Sequence, residues 1–533
     1  MESYIIMSEV QNNDSNMFGN VIDYIERHAE ITPNKIATID IASRRSQTYA
    51  EMNHRVSKIA KVLADQGVSA GDRVGFYALN STDIFDIIYA CWRIGAISLA
   101  LNYRLSSEEL AYQINDSDPK TLFYDIEFES NVQKLKSITK IKNWIDLDGL
   151  GGKSTFEELI SNATTLEKKI TQKFSDQCLL MYSSGTTGKP KGVIVTHGMM
   201  FYSAIDGINL TKLTSDSVSL ASMPIFHIGG LNVSCCPVIR IGATVVVIRN
   251  FEPGLVLDVI ADKNLGIDQL FKVPAAYNAL RLHPKIKITD FSRIVTALAG
   301  AETVPTSLVE WWHKNKNLKI QEGYGLTESA AAGILIPRED IKEKPGSAGK
   351  PLMHMDVKII QQDETKAGIN TSGELLIKGP NITPGYWNNP EATKKSFSNG
   401  WFKTGDIGKI DQDGFIYIED RIDDMYISGG ENVYPAEIEN ILYQIPEIRE
   451  AAVFGVKDSK WGVTGCAVIV LNENQDLDED KIYNFCEDKL AKFKIPKHYV
   501  FYDILPRGAT GKVLKYQLRE KFKNKFAESN THD

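Results

Sequence analysis

Between Tyr49 and Leu101 a helical stretch, YAEMNHRVSKIAKVLADQG, gives way to a short apolar run, RVGFYAL, and then to a second helical stretch ending at Gly95. Apolar residues at three- and four-residue spacing mark the helices, and the continuous apolar run marks a strand covered on both faces. The pattern returns in KTLFYD, ATVVVI, DQLFKV and RIVTALAG, each a compact apolar run beside a helical one. Strands of this kind pair in parallel, because helices must cross over both faces of the sheet. The chain is therefore expected to be α/β with mainly parallel sheets, and it shows no repeat of fixed period.

After about Gly346 the texture changes to short alternating stretches, DVKIIQQ, GELLIKG and GFIYIED, separated by Gly, Asn and Asp. These read as a small antiparallel β unit. From Asp424 onward short strands (AAVFGV, GCAVIVL) mix with amphipathic helices such as DEDKIYNFCEDKLAKF, which predicts a separate small α+β domain. The expected division is a flexible leader over 1–17, a large N-terminal domain over 18–422 and a mobile lid domain over 423–533, with the boundary near DRIDDM.

A chain of 533 residues is too long for one core and implies roughly three or four folding units. Hydrophobic residues at 43% and charged residues at 24% fit a packed globular protein and exclude a largely disordered one. The net charge of −8 argues against a general nucleic-acid binder, so anionic ligands must meet local basic sites. The six cysteines form no CxxC pair and have no His at ligand spacing, which disfavours zinc and disulfides and fits a reducing cytoplasm. The most apolar runs are broken by Arg93 and Arg240 short of about 18 clean residues, so no membrane span is expected. The basic tail REKFKNKF offers at most peripheral contact with an anionic membrane.

Met181 to Val193, MYSSGTTGKPKGV, is the least ordinary stretch. Glycines at 185, 188 and 192 let backbone N–H groups converge, Ser183, Ser184, Thr186 and Thr187 add hydroxyls, and Lys189 and Lys191 add charge: together a cradle for phosphate oxygens. It is not the nucleotide-hydrolase P-loop, because Pro190 follows Gly188-Lys189 where Ser or Thr is required. A solvated Gly/Ser/Thr connector is the bland alternative for this loop taken alone.

Five motifs occur in one order: YSSGTTGKPKGV, YGLTES (Tyr324 to Ser329), GWFKTGD (Gly400 to Asp406), DRIDDMYISGGENVYPAEIE (Asp420 to Glu439) and PRGATGKVLK (Pro506 to Lys515). In composition and order the chain resembles the adenylate-forming superfamily of acyl-CoA synthetases, luciferases and peptide-synthetase adenylation domains. The resemblance implies ATP, Mg2+ and coenzyme A as cofactors. It also implies that a carboxylate is first activated as an acyl-adenylate with release of pyrophosphate, then passed to a thiol.

By that resemblance Thr186 and its neighbours Ser183, Ser184, Gly185, Thr187, Gly188, Lys189 and Lys191 would grip the β- and γ-phosphates. Glu328, with Thr186, would hold Mg2+, and Thr327 would bond the α-phosphate. Tyr324 and Gly325 would meet adenine, with the backbone of Gly300, Ala301 and Glu302 along its edge. Asp406 would accept the ribose hydroxyls and Arg421 would reach the ribose. Lys512 would bridge the acyl carboxylate and the α-phosphate. Asp423 falls at the hinge position, and Gly429 and Gly430 would leave room for the pantetheine arm after a domain swing.

The acyl pocket is expected among Met223–Asn232, Val273–Leu280 and the AAAGIL run after Glu328, with His227 near the carboxylate end. These segments hold no Lys, Arg, Asp or Glu, which weighs against amino-acid and dicarboxylate substrates. Medium- or long-chain fatty acids are the first expectation, with aryl or hydroxycinnamoyl acids as the alternative. No carrier module follows Lys515, so free CoA is expected as the thiol acceptor, with a separate carrier protein as the alternative. A non-catalytic nucleotide-binding sensor is the rival from another class, disfavoured by the presence of Lys512 and Glu328.

Overall fold

The computed structural model describes residues 20–183, 190–302, 304–361, 363–422, 424–428, 431–458, 462–487, 489–508, 512–523 and 525–526. The leader 1–17 and the hinge candidate Asp423 lie outside them.

Two large sheets dominate the first two-thirds of the chain. One has six strands in the order Asn143–Leu147, Thr121–Asp125, Arg73–Tyr77, Ile97–Ala100, Gln177–Ser183 and Lys191–Thr196, parallel except for the last pair. The other has nine, with a parallel centre running Ile320–Tyr324, Thr296–Ala299, Gln269–Lys272, Val218–Ala221, Thr244–Val247 and Ile36–Asp40. The four apolar runs picked out by their texture all form strands of these sheets.

The helix Thr82–Arg93 is buried on nearly every side, and its Ile84, Phe85, Ile87 and Ile88 share one core with Phe76 and Phe123 of the first sheet and Ala221 and Val245 of the second. A helix apolar all round belongs inside a protein. Each of those large side chains contributes about 1.5–3 kcal/mol by leaving water. Two carboxylates travel into the core with it, and Arg55 meets both: its guanidinium lies 2.8 Å from Asp83 and 2.9 Å from Asp86. Without that partner the buried charges would be strongly destabilising. The preceding helix, Tyr49–Asp65, starts on a capping box between Thr48 and Glu51.

The alternating stretches after Gly346 form the expected antiparallel sheet, Asp356–Ile360, Gly373–Lys378, Trp401–Ile410 and Ile416–Arg421, with a short strand at Phe397–Ser398. A smaller C-terminal domain follows, built on the three-stranded sheet Ile448–Asp458, Gly462–Leu471 and His498–Phe501. The helix predicted through DEDKIYNFCEDKLAKF spans Glu479–Glu487 only. In the helix Lys515–Phe522 the apolar residues Leu518 and Phe522 pack against Phe454 and Val468, so that side of the basic tail faces its own domain. No described helix is long and apolar enough to cross a membrane.

Candidate active site

The strands Thr296–Ala299 and Ile320–Tyr324 lie side by side and end at the same edge of the nine-stranded sheet. Gly300–Glu302 follows the first, and Gly325–Glu328 follows the second, so both nucleotide motifs occupy the carboxyl edge where open parallel sheets bind ligands. Close approach explains the glycines: a Cβ on Gly300 would lie 2.6 Å from the carbonyl oxygen of Gly323, and one on Gly325 would lie 2.3 Å from that of Ala331. Ala301, Ala330 and Ala331 adopt left-handed backbone with φ of 71°, 51° and 68°. Such conformations cluster at functional sites.

These elements open on one cavity of about 1400 Å³, larger than the few hundred to about 1000 Å³ of an ordinary small-molecule site. Its wall includes Ser183, Lys191, His227, Gly300, Ala301, Tyr324, Gly325, Thr327, Glu328, Arg421 and, from the C-terminal domain, Lys512. Ser184, Gly185, Thr186, Thr187, Gly188, Lys189, Gly429 and Gly430 lie outside the described residues. The ends of the glycine-bearing loop are fixed, because Ser183 and Lys191 are register partners in an antiparallel pair.

Glu328 is the carboxylate at the centre of this wall. Burial pushes its pKa above the usual carboxylate range, against the opposing pull of its own backbone N–H, the Tyr386 hydroxyl, Arg421 and Lys191. Tyr386 donates to its Oε1 at 3.0 Å, and Lys191 sits over the Tyr386 ring at 5.2 Å. The backbone is held as well, by a 2.7 Å hydrogen bond from Thr383 N–H to the Glu328 carbonyl. A buried carboxylate short of compensating charge suits a divalent cation. No group of three His, Cys, Asp or Glu among the described residues could hold a metal alone. Mg2+ takes one or two carboxylates and completes its shell with phosphate oxygens and water, so the buried Glu328 carboxylate is a donor it could use.

Asp406 and Glu302 stand one layer behind the wall. Asp406 pairs in register with Arg421, whose Nε lies 3.1 Å from Oδ1, while the Tyr324 hydroxyl donates to Oδ2 at 2.5 Å. The phenol thereby fixes the angle of the Tyr324 ring against the cavity. Glu302 is held largely out of water, which raises its pKa, while Arg507 and Lys512 of the C-terminal domain pull the other way. Arg507 lies 3.9 Å from Glu302 and 2.9 Å from Glu450 of its own domain. The Lys512 carbonyl accepts a 2.7 Å hydrogen bond from Gly508 N–H.

His227 caps the short helix Ile228–Asn232, its Nδ1 accepting from Gly229 N–H at 3.2 Å, and desolvation pushes its pKa down to about 4. The imidazole is therefore neutral near pH 7. Of the expected acyl segments, Phe226–Asn232 and Ala331–Leu335 contribute to the large cavity. The stretch Val273–Leu280 does not: Val273, Ala275 and Ala276 line a second cavity of about 180 Å³ with Asn80, Arg104 and Arg249. The remaining chamber wall comes from residues that the motifs did not mark, Ser203, Gly207 and Thr211 on one helix and Ser219, Ser234, Gln269 and Thr296 around the sheet. Tyr386 was also unmarked, although its TPGYWNN context, a turn carrying two aromatics, is a weak signal.

Residues 25–387 match the AMP-binding enzyme family, and residues 437–512 match the AMP-binding enzyme C-terminal domain. The chain belongs to the AMP-binding enzymes, within the adenylate-forming superfamily to which its motifs point, and its class is that of the AMP-forming acid–thiol ligases. It is 35% identical over 497 residues to a feruloyl-CoA synthase from an Amycolatopsis species, covering 93% of this chain and 98% of the relative. It is 34% identical over 502 residues to a long-chain-fatty-acid–CoA ligase of Mycobacterium tuberculosis, covering 93% and 97%. The solved o-succinylbenzoate CoA synthetase of Bacillus subtilis, in complex with its acyl-adenylate, matches with a TM-score of 0.84 at 33% identity, covering 94% of this chain and 98% of that one.

Proposed function

We propose that this chain converts a monocarboxylic acid, ATP and CoA into acyl-CoA, AMP and pyrophosphate in two steps within the one cavity. A carboxylate oxygen attacks the α-phosphorus, and the bond to the β-phosphate oxygen breaks to release pyrophosphate. The thiolate of CoA then attacks the acyl carbonyl, and AMP departs with the bonding pair. The observation that carries this reading is that Lys512 and Glu328, from different domains, line the same chamber.

Crowding a carboxylate against a triphosphate needs fixed cations and donors, and such preorganised charge dominates phosphoryl chemistry. Lys512 supplies the ammonium between the acyl carboxylate and the α-phosphate. Lys191 and the loop 183–191 hold the outer phosphates, and Thr327 donates to the inner one. Glu328, with Thr186, would hold Mg2+, which when bound neutralises phosphate charge. Arg421, on the wall, reaches the ribose, and Asp406 behind it orients Arg421 and Tyr324. The neutral His227 offers a hydrogen-bonding but uncharged surface at the acyl end.

The C-terminal domain swings between the steps, taking Lys512 out and bringing the 428–433 loop in for pantetheine. Free CoA is the acceptor, with a separate carrier protein as the competing thiol. The aliphatic and the aromatic relatives support the two acid classes expected from the sequence. Lys512→Ala tests the reading: it should lower acyl-adenylate formation by about a hundredfold or more, the scale of removing one preorganised transition-state donor. Thioester formation from supplied acyl-AMP should persist. Equal loss in both half-reactions would overturn the role given to Lys512.

A further inference from the structure

The strands on either side of the glycine-bearing loop in sequence, Gln177–Ser183 and Lys191–Thr196, pair antiparallel, with Tyr182 opposite Gly192 and Ser183 opposite Lys191. The second is the edge of the six-stranded sheet, and the outward backbone groups of an edge need partners. The segment 383–387 supplies them. Trp387 N–H donates to the Gly192 carbonyl at 2.7 Å, Ile194 N–H donates to the Gly385 carbonyl at 3.2 Å, and the Thr383 hydroxyl donates to the Ile194 carbonyl at 2.7 Å. The same segment grips Glu328 through Thr383 N–H and the Tyr386 hydroxyl. One short stretch of chain thus touches both the strand that starts at Lys191 and the carboxylate expected to hold the metal.

That stretch is itself anchored by Asp116, near the end of the helix Ser107–Ser117. The Asp116 carbonyl accepts from Trp387 Nε1 and from Asn388 Nδ2, each at 3.1 Å, while its carboxylate accepts from the Tyr182 hydroxyl at 2.5 Å. Burial, and then the carboxylate itself, raise the Tyr182 pKa and keep the phenol a donor. Arg73 stacks over the Trp387 ring at 5.2 Å and donates to the carbonyls of Ser117 and Asp118 at 2.5 and 2.9 Å, so the helix end and the tryptophan share one support. The join is tight at Gly192, where a Cβ would lie 3.1 Å from Trp387 Cβ and 3.3 Å from Tyr182 Cζ.

Asp116, Arg73 and Trp387 are not part of the chamber wall, whereas Tyr182, Ser183, Lys191 and Glu328 are. Asp116 therefore holds one strand of the pair through Tyr182, and the other through Trp387, without facing any reactant. Lys191 is close enough to Glu328 to pull its pKa down against burial, so the two charges are already spaced to act on one ligand. Spacing of this kind matters, because a misplacement of about 1 Å can cost about a hundredfold in rate.

We propose that Asp116 is a positioning residue for the phosphate end of the site: through Tyr182 on one side and Trp387 on the other, it sets the spacing of Lys191 and Glu328 around the β- and γ-phosphates. This rests on the ligase reading above and adds to it a residue outside the chamber. Ligands without those two phosphates, AMP and acyl-AMP, do not feel that spacing. A residue that merely held the fold together would affect every ligand alike.

The test is equilibrium titration of the full-length protein with Mg-ATP and with AMP, paired with rates of the separate half-reactions. Asp116→Ala and, separately, Tyr182→Phe should each weaken ATP by about tenfold, the low end for a hydrogen bond to a charged group, and leave AMP within about twofold. Acyl-adenylate formation should slow in both, and thioester formation from supplied acyl-AMP should keep its rate. Asp116→Asn, which retains an oxygen to accept from Tyr182, should recover most of the ATP affinity. Equal weakening of ATP and AMP, equal slowing of the two half-reactions, or unchanged ATP affinity in both variants would overturn the proposal while leaving the ligase reading intact. A wild-type protein that binds neither nucleotide would overturn both.

Discussion

Tyr386 donates its hydroxyl hydrogen to Oε1 of Glu328 over 3.0 Å, and the Lys191 ammonium sits above the same phenol ring. The tyrosine thus joins the end of the phosphate loop to the carboxylate expected to hold the metal. A hydrogen bond to a charged group contributes about 1.5–3 kcal/mol. Tyr386→Phe should therefore reduce kcat/KM for ATP by about ten- to a hundredfold and raise the Mg2+ concentration needed for half-maximal pyrophosphate release. The acidic limb of the pH profile should move to higher pH, because the carboxylate loses a group that favours its charged form. A Mg2+ titration that matches wild type would exclude the tyrosine from metal binding.

Glu328→Gln separates activity from stability. In the folded state the Glu328 carboxyl has a raised pKa, led by burial. A group of that kind binds protons more tightly folded than unfolded, so stability falls as pH rises from its unfolded value towards its folded one. Above that folded value the wild type carries the whole of that penalty, and between the two values a part of it. The variant should lose adenylation and yet melt at a higher temperature at pH 7. The difference should vanish below about pH 4, near the ordinary glutamate pKa, where both chains are neutral at this position. Thermal melts of both proteins across that pH range decide it, and a less stable variant at pH 7 would contradict the assignment.

The Arg507–Glu302 contact spans the two domains at 3.9 Å. Removing it should disfavour the arrangement that puts Lys512 in the cavity by about 1 kcal/mol, the upper end for a partly exposed ion pair. Glu302→Gln deletes only the cross-domain partner, whereas Arg507→Ala also strips Glu450. Both should slow acyl-adenylate formation by about fivefold, with little change when acyl-AMP and CoA are supplied. Stopped-flow measurement of the separate half-reactions checks this, and parallel slowing of both would count against a domain latch.

What could be read from the chain divides along a physical line. The strands Thr121–Asp125, Thr244–Val247, Gln269–Lys272 and Thr296–Ala299 were legible because a strand covered on both faces must be apolar along its own length. The residues at Gly300, Tyr324, Glu328, Arg421 and Lys512 were legible because their motifs are local, and the structure brings them to one cavity wall. Tyr386 was not, since its link to Glu328 exists only after Thr383 has tied that carbonyl to a distant turn. The polar part of the chamber wall was hidden for a related reason. Ser219, Gln269 and Thr296 come from three crossover units, and nothing in any one of them announces the register that aligns them. Val273–Leu280 was expected in the large cavity and lines the smaller one instead, because sequence gives the order of elements but not which of two neighbouring hollows a segment faces.

Three residues beyond Lys512, Lys515 is locked in place: its Nζ lies 2.8 Å from Glu439. Burial opposes its charge, but the Glu439, Asp420 and Asp424 carboxylates outweigh that and hold its pKa above the usual lysine range. The ammonium at 512 is thus on a short leash whose peg is set among Glu439 and Asp424 of its own lobe and Asp420 of the neighbouring sheet. Any departure of that ammonium from the chamber with its lobe would also draw Lys515 away from Asp420.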